Sequence, residues 1–194
     1  SHTDITERRL AEEALRTSEG HMRSLLENAR NFAIYRLAVD PSEPHGARVI
    51  LVSPSMQELM GIDDPYDFRL WFEVIHPADL PRVLAANEEA IRRGVPYSET
   101  VRCYHQERKE WIWVQTTSTP VLDDKGRVTH FNGLILDVTD QKRAEEALHY
   151  RAAFENVIST ISTDFINMPL DEIDFRIHQA LQTIGQFTGV DRSY

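Results

Sequence analysis

Eight histidines and one cysteine are the side chains of this 194-residue sequence best able to bind a metal or do covalent chemistry. Their spacing gives them no common task. His2, His21, His45, His76, His105, His130, His149 and His178 are scattered, with no HExxH motif and no His-x-His pair, so no metal site is expected. Cys103 stands alone, which leaves no disulfide framework and no CxxC site and favours a reduced, cytoplasmic setting. A GxxxxGK[ST] phosphate loop and a nucleophile elbow are both missing. The carboxylates fall on helix faces and turns, where charge mainly solvates. A net charge of −10 argues against nucleic-acid binding, which needs a basic surface. No apolar run approaches the length of a membrane span, so the piece is read as soluble and without membrane contact.

With no catalytic constellation, the elements decide what can be positioned. Residues 32–39 read as a strand, Asp40-Pro41-Ser42-Glu43-Pro44-His45-Gly46 as a turn-rich loop and residues 48–52 as a second strand. Ser53-Pro54 places a cap and a fixed-φ residue at a helix start, with Gly61 as the stop. Asp64-Pro65 repeats the device for a short helix carrying Phe68, Trp71 and Phe72, aromatics of the kind that fill cores. Asp79 opens the longest internal helix, to about residue 93, with Gly94 in the stop position and Val83, Ala86, Ala90 and Ile91 as its apolar face. His76, ahead of Pro77, is read as shaping the start of that helix. Strands follow at about residues 97–105, 110–119 and 128–138. The order predicts an α+β fold: a five-stranded antiparallel sheet with helices on one face, flanked by long N- and C-terminal helices.

One stretch occurs twice. Asp137-Val138-Thr139-Asp140-Gln141-Lys142-Arg143-Ala144-Glu145-Glu146-Ala147-Leu148 repeats, without a gap, the pattern of Asp4-Ile5-Thr6-Glu7-Arg8-Arg9-Leu10-Ala11-Glu12-Glu13-Ala14-Leu15. A copy with one domain's worth of chain between is expected of a piece of a tandem array. Asp-x-Thr ahead of strong helix formers should close one domain and cap the helix leading to the next. The first such helix, over residues 6–27, spaces Ala11, Leu15, Ser18, Met22, Leu25 and Ala29 as a two-stranded coiled-coil seam. Packing of the stripe on its own domain is the alternative. The exit helix does the same with Ala144, Ala147, Arg151, Phe154, Ile158, Ile161, Phe165 and Met168, up to Pro169. A homodimer through these flanking helices is therefore expected. Beyond Pro169, Ile173, Ile177, Leu181 and Ile184 share one face of a further amphipathic helix. No Pro or Gly separates the last strand from the exit helix, so a change in the sheet can be passed along it.

These residues carry a family resemblance. Asp137-Val138-Thr139, preceded by Trp111-Ile112-Trp113-Val114, by Pro120-Val121-Leu122-Asp123-Asp124-Lys125-Gly126-Arg127-Val128 and by Gly133, resembles the PAC-type C-terminal half of a PAS sensory domain. Ile75-His76-Pro77-Ala78-Asp79 is similar to the element ahead of the long helix in that family, and the resemblance covers roughly residues 23–142. The end of the chain, from Leu170-Asp171-Glu172-Ile173-Asp174 to Gly189-Val190-Asp191-Arg192-Ser193-Tyr194, resembles the truncated start of a GAF domain. The resemblances imply a linker helix over residues 1–27, a PAS domain over 28–140, a signalling helix over 141–168 and the start of a GAF domain over 169–194. They imply a sensory relay module of a multidomain bacterial protein, a sensor histidine kinase or a GGDEF/EAL-type cyclic-di-GMP protein, with adjacent PAS and GAF domains as partners. Catalytic signatures of such outputs are missing from the sequence, and His149 lacks the His-Glu-x-x-x-Pro surroundings of a phosphoacceptor. This chain is accordingly not expected to be an enzyme.

In PAS folds the cavity between sheet and helices can hold a small ligand. Tyr35, Met56, Met60, Trp71, Ile91 and Val101 are the candidate wall, with plain core filling as the alternative. No cofactor is expected. The flavin-adduct cysteine of light-sensing relatives sits in a helical Asn-Cys-Arg motif, whereas Cys103 sits on a strand. Haem-binding relatives often place a His on the long helix, and residues 79–93 contain none, leaving His105 and His130 as the remaining haem candidates. By the resemblance, Asp137 and Thr139 tie the last strand to the outgoing helix; helix capping alone predicts the same residue types. Two functions stay open: a ligand- or state-sensing relay, and a non-sensing module for dimerisation and spacing.

Overall fold

The alternating runs of the sequence pair as β1 (Phe32–Val39), β2 (Ala47–Val52), β3 (Tyr97–His105), β4 (Glu110–Leu122) and β5 (Val128–Asp137). The computed structural model describes residues 16–17, 20, 31–166 and 173–188. The strands form one antiparallel sheet in the order β2-β1-β5-β4-β3. Between β2 and β3 the chain forms α1 (Ser55–Met60), α2 (Phe68–Glu73) and α3 (Leu80–Arg93). Every second strand residue turns inward. Tyr35, Leu37, Val101, Cys103, Ile112, Val114, Phe131 and Ile135 share one core with Met56, Leu59, Met60, Phe68, Trp71, Phe72 and Val83 of the helices. This is the α+β sheet-and-helix fold that the pattern predicts. Of the helix expected over residues 6–27, Arg16, Thr17 and Gly20 are described, helical and exposed; the seam residues Leu15, Met22, Leu25 and Ala29 lie outside the described residues.

The helix starts differ from expectation, because nearby backbone competes for the capping oxygens. Ser53 does not cap α1: its hydroxyl accepts from Ile34 N at 3.0 Å and pairs with Ser55 Oγ, while Ser55 Oγ donates to the Phe32 carbonyl at 2.8 Å. Those two serines serve β1 where β2 leaves it. Asp64-Pro65 forms a turn closed by Asp67 N on the Asp64 carbonyl, with Asp64 Oδ1 accepting from Tyr66 N, and Asp67 caps α2 through Arg69 N. The expected start was thus three residues early. Gly61 and Gly94 do end their helices, both at φ +63°. β4 runs on through Pro120, past the expected end, because beyond Ser118 it has a neighbour only in β5.

Asp79 stands at the start of α3, but its carboxylate turns to the sheet. It accepts from Arg102 N at 3.1 Å, Nε at 2.9 Å and Nη2 at 2.8 Å. Arg82 forms a second clamp, pairing with Glu99 and donating to the Thr100 carbonyl. The Arg102 guanidinium holds the Asp79 carboxyl down to about 2, against an ordinary value of 3.8. A carboxyl whose folded pKa is depressed adds stability above its unfolded pKa and loses it as pH falls through the folded one. Asp79→Asn is therefore expected to lower stability by about 1 kcal/mol near neutrality, with the difference from the parent closing as pH falls from about 4 to 2. Urea titrations of the two proteins at a series of pH values measure this.

Both sheet margins are modified. Along β3, His76 N donates to the Arg102 carbonyl and Tyr104 N to the Val74 carbonyl, so residues 74–76 cover part of that edge. In β2, the register against β1 skips Ile50, which forms a bulge opposite Arg36 and Leu37.

The chain divides into two compact units between Thr139 and Asp140. α4 (Thr139–Ile166) follows β5, and α5 (Ile173–Thr188) lies in the second unit. There the rings of Tyr150 and Phe154 meet Phe187, with centroids 5.1 and 5.9 Å apart. Phe154, expected on a seam between two chains, thus has a ring partner in its own. Ala147 and Ile158 are exposed and Ile161 is half-buried. No helix among the described residues is long and apolar enough to cross a membrane.

Candidate functional site

Inward side chains of the sheet and of α2 and α3 leave a cavity of about 70 Å³. Ligand pockets usually measure roughly 300–1,000 Å³, whereas one water needs about 10–15 Å³. The space therefore suits a few waters or a very small molecule. Its wall is mostly aromatic and aliphatic, including Leu37, Phe68, Trp71, Phe72, Ile91, Val101 and Phe131. The polar groups are Tyr35, Asn87, Tyr97, Cys103, Thr116 and Ser118. No Asp, Glu, Lys, Arg or His among the described residues lines it.

One row across the sheet organises these groups. Tyr35 pairs with Gly133, Gly133 with Ser118 and Ser118 with Tyr97, crossing β1, β5, β4 and β3. The Tyr35 ring lies over Gly133, where a Cβ would stand 2.5 Å from Tyr35 Cε1 and closer still to Cζ and Oη. The glycine lets the hydroxyl reach the Ser118 side chain, its hydrogen-bond partner. The Trp71 ring meets Tyr35 edge-on, with centroids 5.2 Å apart, and its indole N–H donates to the Pro65 carbonyl at 3.0 Å. Burial pushes the Tyr35 hydroxyl up to about 12, partly opposed by Ser118, and pushes the Cys103 thiol up to about 12. Burial likewise raises Tyr97. These groups remain protonated at neutral pH, so the wall offers hydrogen bonds without charge.

The strand-to-helix joint is built from β4, β5 and the first residue of α4. Asp137 Oδ1 accepts from Thr139 N at 2.9 Å and from the Thr139 hydroxyl, and that hydroxyl accepts from Trp113 N at 2.9 Å. Val138 N donates to the Trp113 carbonyl and Asp137 N to the Asn31 carbonyl. Arg108 Nη1 lies 3.7 Å from Asp137 Oδ2. Capping explains the bond from Thr139 N. It does not explain the bond to Trp113, which ties Thr139, 6% exposed, to β4.

Residues 49–135 match a family model described as the PAS fold. The chain is 24% identical over 181 residues to the methanogenesis regulatory histidine kinase FilI of Methanothrix harundinacea, covering 93% of this chain and 19% of that protein. It is 26% identical over 112 residues to the sensor protein FixL of Bradyrhizobium diazoefficiens, covering 56% of this chain and 22% of that protein. The chain therefore spans about a fifth of the length of these relatives. A crystal structure of a sensory box histidine kinase/response regulator from Burkholderia thailandensis shares the fold at a TM-score of 0.52 and 25% identity, covering 70% of this chain and 97% of that one. The sheet and its helices are thus PAS-like.

Within this PAS-like domain, five of the six expected wall residues, Tyr35, Met60, Trp71, Ile91 and Val101, border the cavity. Met56 does not: at the first turn of α1 it is wholly buried in the core beside it. Sequence reasoning missed Asn87, Tyr97, Thr116, Ser118 and the space-making Gly133. A lone glycine inside a strand pattern, which marks a close approach, was the available signal. His105 is structural, being 1% exposed. Arg108 N donates to its Nδ1 at 3.2 Å, so Nε2 carries the proton and donates to the Glu58 carbonyl at 2.8 Å. Gly61 leaves room for that ring. His130 Nδ1 bonds to Thr129 Oγ1 at 2.9 Å. Among the described residues no group of three or more His, Cys, Asp or Glu could hold a metal.

Proposed function

We propose that this chain is the sensing and relay segment of a multidomain cytoplasmic signalling protein, a sensor histidine kinase or a cyclic-di-GMP protein. A small molecule in the cavity shifts the balance between two arrangements of the strands that lead to α4. One observation carries the reading: Val114, on the cavity wall, is the register partner of Asp137, which with Thr139 fastens β5 to the helix that follows. A change felt at the wall needs to travel only across one strand pair. The catalytic output lies in other domains, and no cofactor is required. A second copy is the proposed partner of the seam residues Leu15, Met22, Leu25, Ala29, Ala147, Phe154, Ile158 and Ile161, with PAS and GAF domains as neighbours in the parent.

The small size of the cavity favours a rival reading, a module that dimerises and sets spacing without sensing. Native mass spectrometry followed by denaturing extraction separates the two. A stoichiometric small molecule supports sensing, and a consistently empty dimer supports spacing. The relay itself is tested by Asp137→Ala, which is expected to leave the domain folded, at a cost of about 1 kcal/mol, while output in the full-length parent loses its dependence on the signal. Unchanged signalling would refute the relay.

A further inference from the structure

We infer that residues 40–46 are a displaceable lid, with the His45 ring seated where the ring of a ligand would sit. Resting on the sensing reading above, this assigns the ligand to a class: an uncharged molecule ending in a flat aromatic or heteroaromatic ring. The His45 imidazole stacks on Phe72, with centroids 3.9 Å apart and planes at 20°, and Phe68 stands edge-on to it at 6.3 Å. Phe68 and Phe72 are themselves cavity wall. Flat stacking on one ring with an edge from another is how an aromatic ligand would bind there.

The loop is closed on itself, with Asp40 N donating to the Gly46 carbonyl at 2.9 Å, Gly46 N to the Glu43 carbonyl at 3.0 Å, and Ser42 N and Oγ to Asp40 Oδ1, so it would move as a unit. His45 sits at φ +60° and Gly46 at φ +76°, left-handed conformations that a side chain such as His adopts at some cost. The His45 carbonyl accepts from Asn87 Nδ2 at 3.0 Å. Asn87 and Ile91 border the inner cavity and also, with His45 and Gly46, an outer groove along α3. Swinging His45 off Phe72 joins the two spaces.

Size and charge narrow the ligand. An apolar cavity of about 150 Å³ holds benzene; the space of about 70 Å³ here admits a ring only when His45 leaves. The wall carries protonated hydroxyls and a thiol and no ion, so a charged group would enter without a counter-charge.

Benzimidazole at neutral pH is a suitable probe, titrated calorimetrically into the whole chain and into His45→Gly and Asn87→Ala variants. The indole N–H resonance of Trp71 serves as the reporter of cavity entry. Glycine accepts the left-handed backbone freely, so His45→Gly removes the ring without opposing the fold. Removing a competitor raises apparent affinity by the fraction of closed lid it abolishes. His45→Gly is expected to bind on the order of ten-fold more tightly than the parent, Asn87→Ala to shift the same way, and Trp71 to respond in both. Equal affinity in parent and His45→Gly would overturn the lid and leave sensing by the cavity intact. No binding to His45→Gly, or binding without a Trp71 response, would overturn the ligand class, and sensing would then be decided by the extraction experiment alone.

Discussion

Gly133→Ala is expected to lower the unfolding free energy of the PAS-like domain by about 3 kcal/mol, the upper range for forcing one extra carbon into a packed core. The new Cβ would stand 2.5 Å from Tyr35 Cε1 and nearer still to two other Tyr35 atoms. The ring can give way only toward the small cavity it borders. Trp71 meets it edge-on, Ser118 holds its hydroxyl, and the residue is 4% exposed. Relief requires Tyr35 to leave its rotamer or β5 to part from β1. Urea unfolding gives the loss directly. In a Tyr35→Leu background the same glycine change should cost less than about 1 kcal/mol, because contacting residues couple. Additive costs would show that the steric conflict lies elsewhere. The same substitution is expected to alter the cavity, since Tyr35 is part of its wall.

Thr139→Val should cost about 2 kcal/mol and act on the joint itself. The shapes match, but the hydroxyl is lost, and with it the acceptor for Trp113 N and the donor to Asp137 Oδ1. Leaving an amide that faces the buried Thr139 side chain without an acceptor carries a penalty of about 1–3 kcal/mol. Hydrogen exchange reads the effect locally: the Trp113 amide should exchange faster, while amides in the middle of β1 follow only the global loss. If Trp113 keeps its protection, the bond from β4 to the helix start has no mechanical weight. Thr139→Ser retains the hydroxyl and should restore most of the protection.

The sheet, its antiparallel pairing and three internal helices were legible because each rests on local signals: alternation in the strands, and glycines at helix stops. Gly61 and Gly94 announce themselves, since a left-handed cap has few other solutions. The helix starts were less legible. Ser53 and Asp79 look like caps in sequence, yet a strand amide claims the first and Arg102 claims the second, partners 19 and 23 residues away. The wall of the cavity was legible where a large apolar residue faced the helices. It was illegible at Asn87, Thr116 and Ser118, whose polar side chains read as solvent-facing until the helix face of the first and the strand register of the other two turn them inward. His45 was lost for the opposite reason. In a stretch of Pro, Ser and Gly it reads as loop, and only its position over Phe72 suggests the role proposed for it.

Strand addition is a route by which domains of one kind stick together, and this sheet closes it on both flanks. On one flank, residues 74–76 already take up hydrogen bonds of β3 at Arg102 and Tyr104. On the other, the extra residue at Ile50 breaks the regular spacing that an incoming strand would have to match. Sibling domains strung along one polypeptide meet at high local concentration, where such zippering would be hardest to escape. Docking of any further domain on this one is thereby left to helix surfaces and sheet faces, which can separate again.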